Sequence, residues 1–307
     1  MYTYNVVVMS LLKISEEIQE AVRTKKPVVA LESTLISHGL PSPLNIEVAA
    51  KSEKILRDLQ VVPATVAVID GHLQVGLSHE EIELLGTEND VEKTSFNTLG
   101  TVLAGKSLGA TTVATTKFAA HKSGIQIFAT GGIGGVHRGN DGEISADLKA
   151  LSEIPVAVIC AGVKSILDIP RTLELLETLG VPVIGYKTDT FPEFWTSGGS
   201  LKTKITATGA EEVAALLQAH WQIGLDTGQL VAVPIPKEKS VDQKIVEDAI
   251  NQSLEKAKSA GITGNAITPF LLEKVSEASG NLTLQANIDL ILNNVKTAGE
   301  VAIQMAG

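Results

Sequence analysis

Residues 155–185 of the chain read PVAVICAGVKSILDIPRTLELLETLGVPVIG, two short apolar runs with a helical pattern between them. The runs at 155–160 and 181–185 are continuously apolar, which is typical of strands buried on both faces of a sheet. Apolar residues recur at helical spacing over 172–179. Two buried strands joined by a helix favour a βαβ unit with parallel strands. This stretch therefore predicts an α/β fold.

The same alternation continues along most of the chain. Further apolar runs lie at Pro27–Leu31, Thr65–Ile69 and Ile125–Ala129, and amphipathic helical patterns lie at Asn45–Leu59 and Ala210–Ile223. Strands that alternate with helices predict a large, mostly parallel sheet with helices on both sides.

Two segments depart from this alternation. The pair Asp70-Gly71, followed by a short alternating run, predicts a hairpin, so we expect a mixed sheet. After Pro236 the pattern becomes helical, through 241–257, 269–278 and 282–305. We therefore expect a helical C-terminal region.

The composition is that of a globular protein. Of the 307 residues, 44% are hydrophobic and 20% are charged, which allows a sizeable core. No linker long enough to separate domains is visible, so we expect residues 1–307 to form a single domain, with residues 1–13 as a terminal strand or a loose arm. The apolar segment near the N terminus is too short to span a bilayer.

Charge and cysteine content narrow the class of protein. The chain has 25 Lys and Arg against 35 Asp and Glu, a net charge of −10, which argues against a nucleic-acid polymer or a membrane surface as a partner. Cys160 is the only cysteine, so neither an intrachain disulfide nor a cysteine-based zinc site can form. We therefore expect a cytoplasmic protein.

Two charged residues follow apolar runs at the positions where parallel sheets bind ligands. Glu32 ends the run that begins at Pro27, and Lys164 follows the run that begins at Pro155. A low dielectric and a helix starting at Ser165 or Asp168 would disfavour the ammonium form of Lys164, and a neutral amine is a nucleophile. Structural roles stay open for both residues, Glu32 as a helix cap or ion-pair partner and Lys164 as a lysine that reaches solvent.

Two loops add further polar groups. Four glycines within residues 131–135 would let the backbone approach a ligand and offer amides to an oxyanion. His137 stands where the third glycine of a dinucleotide fingerprint belongs, which disfavours a dinucleotide-dependent oxidoreductase. Glu143 and Asp147 lie four residues apart with Ser145 between them, a pattern more typical of a solvated helix N terminus than of a metal site.

Six motifs occur in a defined order along the chain. They are ESTLISHGLP from Glu32, AAH from Ala119, the loop 130–139, SADL from Ser145, AGVKSILD from Ala161 and GITGNAITPFLL from Gly261. Together they resemble the pseudouridine-5′-phosphate glycosidase family, also called indigoidine synthase A-like, from about residue 14 to the C terminus. The resemblance implies a three-layer α/β/α fold, a homotrimer, and a divalent cation, usually manganese, with Mg2+ as another choice. It also implies cleavage of pseudouridine 5′-phosphate to uracil and ribose 5-phosphate.

The resemblance also assigns roles to individual residues. Lys164 would be the nucleophile that forms an imine with the sugar, and Glu32 would be the proton donor. Glu143 stands where the family has an aspartate that binds the metal. The residues that would contact the substrate are Lys93, Val113, His137, Ser145, Ala146, Asp147 and Asn287. Among these, Lys93 would bind the phosphate and Asn287 would reach the base.

One segment departs from the family pattern. After Lys93-Thr-Ser the family commonly has Arg-Arg-Asp-Leu, whereas this chain has Phe96-Asn97-Thr98-Leu99. Two cations are therefore missing beside the expected phosphate, and we expect a lower substrate affinity. The alternative hypothesis is a catalytically silent phosphosugar- or nucleotide-binding protein, which would keep Lys93 and the glycine loop without needing Glu32 and Lys164 together.

Overall fold

The structure is a computed structural model that describes residues 11–138 and 142–306, apart from the side chain of residue 265. The strands of the described residues are β1 Leu12–Ile14, β2 Val28–Leu31, β3 Val62–Ile69, β4 His72–Val75, β5 Glu92–Thr94, β6 Gly109–Thr111, β7 Ile127–Ala129, β8 Val136–His137, β9 Ala157–Cys160, β10 Leu167–Asp168, β11 Val183–Tyr186, β12 Ile205–Ala207 and β13 Leu230–Ala232.

The α-helices are α1 Glu16–Arg23, α2 Leu44–Asp58, α3 His79–Thr87, α4 Phe96–Gly105, α5 Val113–Lys122, α6 Ala146–Glu153, α7 Ile169–Thr178, α8 Ala210–Gln222, α9 Gln243–Ser259, α10 Ile267–Ala278 and α11 Leu282–Ala306. A π-helical turn spans Leu35–Gly39, and short 3-10 helices span Lys237–Lys239 and Gly264–Ala266. None of the described helices is long and apolar enough to cross a membrane.

Eleven of the described strands form one mixed sheet. Its order is β1-β4-β3-β2-β7-β9-β13-β11-β12, with β6 paired to β3 and β5 paired to β6. The seven strands from β3 to β12 in this order run parallel, whereas β4 and β6 are antiparallel to β3. Asp70 and Gly71 both have positive φ angles, of 48° and 73°, in the turn between β3 and β4. The predicted hairpin is confirmed, since such turns favour this pair of residues.

Helices cover the sheet on both faces, as expected for strands without a polar side. Every residue of β2, β7 and β9 is buried. On one face α11 packs on these three strands and contacts α2 and α8, and on the other face α5 packs on β2 and β7 and contacts α6. The three-layer α/β/α fold is confirmed. The helical C-terminal region is confirmed as well, and its helices α9 and α10 pack against each other.

The N-terminal segment falls largely outside the described residues. Residues 1–10 are not among them, and Leu12–Ile14 forms β1, which pairs in parallel with β4. Of the two alternatives for residues 1–13, a terminal strand or a loose arm, the structure shows the strand at Leu12 and Lys13, whose backbone belongs to the sheet.

The length of β3 positions one wall of the site. This strand has eight residues and its neighbour β2 has four, and β2 ends where Leu31 pairs with Thr65. Beyond that point β6 pairs with β3 in the opposite direction, through Ala67 and Val68. The strands β5 and β6 therefore return toward the carboxyl end of β2. Ser33 Oγ accepts a hydrogen bond from the Thr111 amide at 2.8 Å and joins the two segments.

Candidate active site

One cavity of about 380 Å³ opens where β2, β7 and β9 end. Its walls contain all ten residues that the sequence singled out, namely Glu32, Lys93, Val113, His137, Glu143, Ser145, Ala146, Asp147, Lys164 and Asn287. The volume is in the range of cavities that hold small-molecule ligands. The site residues are therefore brought together, although their positions in the sequence span more than 250 residues.

Glu32 projects from the end of β2 and accepts a hydrogen bond from the Thr130 hydroxyl, which follows β7. Burial raises the pKa of Glu32 above its usual value, and the charge of Lys164 and the Thr130 hydrogen bond oppose the increase. The nearby Asp147 charge adds to it. Glu32 is therefore easier to protonate than a solvated glutamate, which is compatible with a proton donor. Glu32 caps no described helix, and the Lys164 charge that acts on it is consistent with the buried ion pair that the sequence left as an alternative.

Lys164 lies in the turn between β9 and the short strand β10. Its amide donates to the Ile133 carbonyl at 3.2 Å, and its carbonyl accepts from the Leu167 amide at 2.9 Å. The following helix, α7, begins at Ile169 and is capped by Asp168, which accepts a hydrogen bond from the Arg171 amide at 3.1 Å. Of the two predicted helix starts, Asp168 is therefore correct. The buried Ser165 instead donates to the Glu193 carbonyl at 2.5 Å.

Arg138 fixes the turn that carries Lys164. Its guanidinium donates to the Ser165 carbonyl at 2.7 Å and to the Leu167 carbonyl at 3.2 Å. The same group makes a two-pronged ion pair with Glu247 of α9, at 2.9 and 3.0 Å. Because both carbonyls lie within three residues after Lys164, this arginine connects the Lys164 turn to the C-terminal helices.

Asp147 lies at the start of α6 and is only 6% exposed. Its Oδ1 accepts from the Ala114 amide at 3.1 Å, and its Oδ2 accepts from the Gly134 amide at 2.8 Å. The helix N terminus considered from the sequence is confirmed, but Asp147 is not solvated, because two backbone segments cover its carboxylate. Asp147 supplies a fixed negative charge that acts on both Glu32 and Lys93.

The glycine run is needed for close packing. A Cβ atom at Gly134 would lie 2.3 Å from Ser145 Oγ and 2.8 Å from Asp147 Oδ2, and one at Gly132 would lie 2.7 Å from the Phe194 ring. The Gly134 amide binds Asp147, and the Ile133 amide donates to the Gly162 carbonyl at 3.0 Å. Contacts inside the protein therefore explain much of this run, and binding of an oxyanion by its amides stays a prediction.

Lys93 lies on β5, and Ser95 and Asn97, at the start of α4, also border the cavity. Burial and the charge of Lys164 lower the pKa of Lys93, while the carboxylates Asp147 and Glu32 counteract that shift. Phe96, which stands where the family has a cation, packs edge-on against Phe118 with ring centroids 6.4 Å apart. The substitution thus exchanges a charge beside Lys93 for an aromatic contact.

Glu143 is the predicted metal ligand, and its surroundings fit a loosely held ion. Its Oε2 lies 3.2 Å from His137 Nδ1, and its Oε1 accepts from the Gly264 amide at 3.0 Å. Among the described residues no group of three or more His, Cys, Asp or Glu is arranged to hold a metal, and Asp141 lies outside them. Mg2+ and Mn2+ accept a single carboxylate when water supplies the other ligands, so Glu143 fits that kind of binding.

Three residues to which the sequence assigned no role also shape the site: Thr130, Arg138 and Asn294. The buried Asn294 of α11 donates from Nδ2 to the carbonyls of Thr130 and Gly131, at 2.9 and 3.1 Å. Asn287 and Asn294 are seven residues apart, so they share one face of this helix. Two asparagines at helical spacing within this largely apolar helix were a signal available from the sequence.

The fold and the site define an α/β protein of the indigoidine synthase A-like family. A family model described as "Indigoidine synthase A like protein" matches residues 17–304, so the chain belongs to this family. The chain is 47% identical over 296 residues to the pseudouridine-5′-phosphate glycosidase of Caldanaerobacter subterraneus subsp. tengcongensis, covering 96% of both chains. It is 48% identical over 295 residues to the protein of that name from Escherichia coli, covering 95% of both.

Two solved structures share the fold over almost the whole chain. The prealnumycin C-glycosynthase AlnA, in complex with ribulose 5-phosphate, is 39% identical with a TM-score of 0.88 and covers 96% of this chain and 97% of its own. An indigoidine synthase A-like protein from Thermotoga maritima is 32% identical with a TM-score of 0.88 and covers 97% of both chains.

Proposed function

We propose that this chain is a pseudouridine-5′-phosphate glycosidase that reversibly cleaves the C–C bond between the ribose and the base, giving uracil and ribose 5-phosphate. The observation that carries the proposal is the convergence of Glu32, Lys164, Lys93 and Asp147 in one cavity. Relatives at 47% and 48% identity bear this enzyme's name. A protein that only binds phosphosugars would not need a buried acid and an amine together.

The first step opens the sugar ring. The Lys164 Nζ attacks C1′ of the ribose as the nucleophile while the bond from C1′ to the ring oxygen breaks. Glu32 donates its proton to that oxygen. The raised pKa of Glu32 supports this role, because burial shifts the carboxyl group toward its protonated form.

The second step breaks the C–C bond. Ordinary glycosidases protonate a leaving oxygen or nitrogen, but this bond offers neither atom, so its electron pair needs another acceptor. Glu32, ionised by the first step, takes the proton that the attacking nitrogen of Lys164 must lose and passes it to C5 of uracil, and the electron pair of the C1′–C5 bond then returns to the pyrimidine ring. The lone pair of the Lys164 nitrogen then forms the C1′=N double bond of an imine. Water hydrolyses the imine to ribose 5-phosphate and the free lysine. The fixed charge of Asp147 favours the cationic imine in the cavity.

Lys93 supplies the cation for the substrate phosphate. The AlnA structure contains ribulose 5-phosphate, which supports a phosphosugar as the ligand of a cavity of this family. With Phe96 and Asn97 beside Lys93 in place of two arginines, the chain relies on fewer charges to hold the phosphate. We infer that the phosphorylated substrate is preferred over the nucleoside, by a smaller margin than two further arginines would give.

Glu143 would hold Mn2+ or Mg2+ through one carboxylate oxygen, with water completing the coordination. Such an ion would order water and offset negative charge at this side of the cavity. The Glu143 side chain is one methylene longer than the aspartate of the family, so we expect weak binding. Titration of Mn2+ followed by electron paramagnetic resonance should show binding in the wild type and its loss in Glu143→Ala.

Incubation with pseudouridine 5′-phosphate, with uracil release followed by chromatography, tests the proposed function. We expect release that depends on enzyme concentration and is absent from Lys164→Ala. Tight binding of ribose 5-phosphate with no uracil release would instead establish the catalytically silent binding protein.

We also propose a cytoplasmic homotrimer. The family resemblance supports the trimer, and the single cysteine, which is buried and free, is consistent with a reducing compartment. Size-exclusion chromatography with light scattering should give three times the mass of one 32.3 kDa chain.

A further inference from the structure

A threonine hydroxyl in the cavity wall has no partner among the described residues. Thr112 Oγ1 is buried and makes no hydrogen bond there, and Thr112 lines the cavity. A buried hydroxyl that is deprived of both protein and water partners costs free energy, so such groups are rare in folded proteins. This one therefore needs a structural or a functional explanation.

The usual structural role of a threonine at this position is absent. Thr112 is the N-cap of α5, where a threonine oxygen ordinarily accepts a hydrogen bond from an amide of the first helical turn. Here its side chain makes no capping bond, and Asp147 Oδ1 accepts from the Ala114 amide instead. Asp147, which lies on α6, accepts the hydrogen bond from the first turn of α5. The Thr112 hydroxyl is therefore available to a different partner.

The backbone of Thr112 places this residue beside Lys93. The Thr112 amide donates to the Thr94 carbonyl at 3.0 Å, and Lys93 pairs with Ala110 in the register of β5 and β6. Successive side chains of an extended strand point to opposite sides, so residues 110 and 112 share one side and residue 111 takes the other. Because Lys93 is paired with Ala110, Thr112 and Lys93 lie on the same side of the strand pair. Both residues line the cavity.

A second buried polar atom lies in the same region. His38 Nε2 also has no partner among the described residues, and His38 also lines the cavity. The charge of Lys93 contributes to the lowered pKa of His38, which places the ring near that lysine. Two polar atoms without protein partners near one buried lysine are typical of a subsite that a polar ligand completes.

We propose that the Thr112 hydroxyl is a substrate-binding group that donates a hydrogen bond to the phosphate held by Lys93. It adds a short neutral donor to a subsite in which the family's two arginines are replaced by Phe96 and Asn97. The assignment rests on the proposed function for the identity of the substrate. The observation that the buried Thr112 hydroxyl has no partner among the described residues does not depend on the proposed function.

Calorimetry with two probes, inorganic phosphate and ribose 5-phosphate, tests the assignment without any turnover. Thr112→Val keeps the shape of the side chain and removes the hydroxyl, and Thr112→Ser keeps the hydroxyl. We expect Thr112→Val to weaken both ligands by roughly 10- to 100-fold, the range for a hydrogen bond to a charged group, and Thr112→Ser to bind within about threefold of the wild type. Thr178→Val, at an exposed position of α7, should leave binding unchanged.

Several results would overturn the assignment. Unchanged binding by Thr112→Val would do so, and so would a loss in Thr112→Ser as large as that in Thr112→Val, because keeping the hydroxyl would then not preserve binding. If the substrate assay succeeds, Thr112→Val should lower kcat/KM more for pseudouridine 5′-phosphate than for pseudouridine. Equal losses of kcat/KM for the two substrates would indicate that the hydroxyl contacts the sugar and not the phosphate. Failure of the substrate assay with intact calorimetric results would count against the proposed function alone.

Discussion

At the scale of single residues, the chemistry depends on one acid and one amine that face the same cavity in different environments. Glu32 is buried enough for its pKa to rise even though Lys164 lies near it. Thr130 holds its carboxyl group by a hydrogen bond, and Asp147, bound by two backbone amides, keeps a negative charge close by. The two carboxyl groups therefore have different surroundings, and the proposed mechanism uses Glu32 as the proton donor.

Lys164 should form a covalent adduct with ribose 5-phosphate. Reduction of the mixture with borohydride converts the imine to a stable amine, and mass mapping should find the added pentose phosphate on the peptide that contains Lys164. Lys164→Ala should lose the adduct and the activity, because no other amine replaces the nucleophile. An adduct on Lys93, or full activity in Lys164→Ala, would contradict the mechanism.

Glu32→Gln should lower kcat by roughly two to four orders of magnitude, the usual range for a lost general acid. The wild-type kcat should fall as the pH rises through the raised pKa of Glu32, because the proton donor is then ionised. Glutamine does not titrate, so the residual kcat of Glu32→Gln should lack this decrease. Binding of ribose 5-phosphate by the variant serves as the control for folding, and an unchanged kcat would return Glu32 to a structural role.

At the scale of elements, the loop between β7 and β8 organises the site by packing. Its glycines let it approach the start of α6, where Ser145 and Asp147 lie. Arg138, at its end, donates to carbonyls of the Lys164 turn and pairs with Glu247 of α9. The loop therefore connects the acidic wall, the nucleophile and the C-terminal helices, and a small shift in it would disturb all three.

Gly134→Ala should reduce both stability and kcat. The new Cβ atom would lie 2.3 Å from Ser145 Oγ, so Ser145 or the loop must move, at a cost of about 1–3 kcal/mol in the free energy of unfolding. Gly100→Ala is the matched control, since Gly100 is exposed on α4 with no atom within 4 Å of a new Cβ atom. It should gain up to about 1 kcal/mol from helix propensity. Chemical denaturation and the uracil assay measure both effects, and equal stability of the two variants would contradict the packing role.

At the scale of the whole molecule, the sheet and its helices enclose a charged residue that the mechanism does not use. Lys117 of α5 is fully buried, and its Nζ donates to the Val156 carbonyl at 2.6 Å. Burial lowers the pKa of Lys117 to about 7, against a partial opposing effect of the Asp147 charge. This lysine therefore links the stability of the fold to pH.

Lys117→Met should change how stability depends on pH. In the unfolded chain the lysine keeps its proton up to about pH 10.4, whereas in the folded protein it is released above about 7. The unfolded state thus binds more protons between these values, so wild-type stability falls as the pH decreases from 10 to 7, by up to about 1.4 kcal/mol per unit, and levels off below. Denaturant unfolding from pH 6 to 10 should show that Lys117→Met lacks this contribution. Lys122→Met, at an exposed position on the same helix, should retain it, and parallel curves for wild type and Lys117→Met would contradict the assignment.

Much of the fold was determined by local pattern. The continuous apolar runs became β2, β3, β7, β9 and β11, because a strand covered by helices on both faces needs apolar residues at every position. Helical spacing predicted α2, α8 and the three C-terminal helices to within a few residues. The strand-end rule found Glu32 and Lys164, since the carboxyl ends of parallel strands meet at one edge.

Other parts were decided by the tertiary structure alone. The three-residue strand β5 has the sequence Glu-Lys-Thr, which carries no strand pattern, and it exists because β6 pairs with the extension of β3. Lys93 and Val113 reach the cavity only through that antiparallel return, so residues alone could not place them and the family resemblance did. Asp147 accepts a hydrogen bond from the amide of Ala114, which is 33 positions away in the sequence. This contact takes the place of a capping hydrogen bond from Thr112. Periodicity reports which face of an element is buried, whereas such contacts depend on how distant elements meet in space.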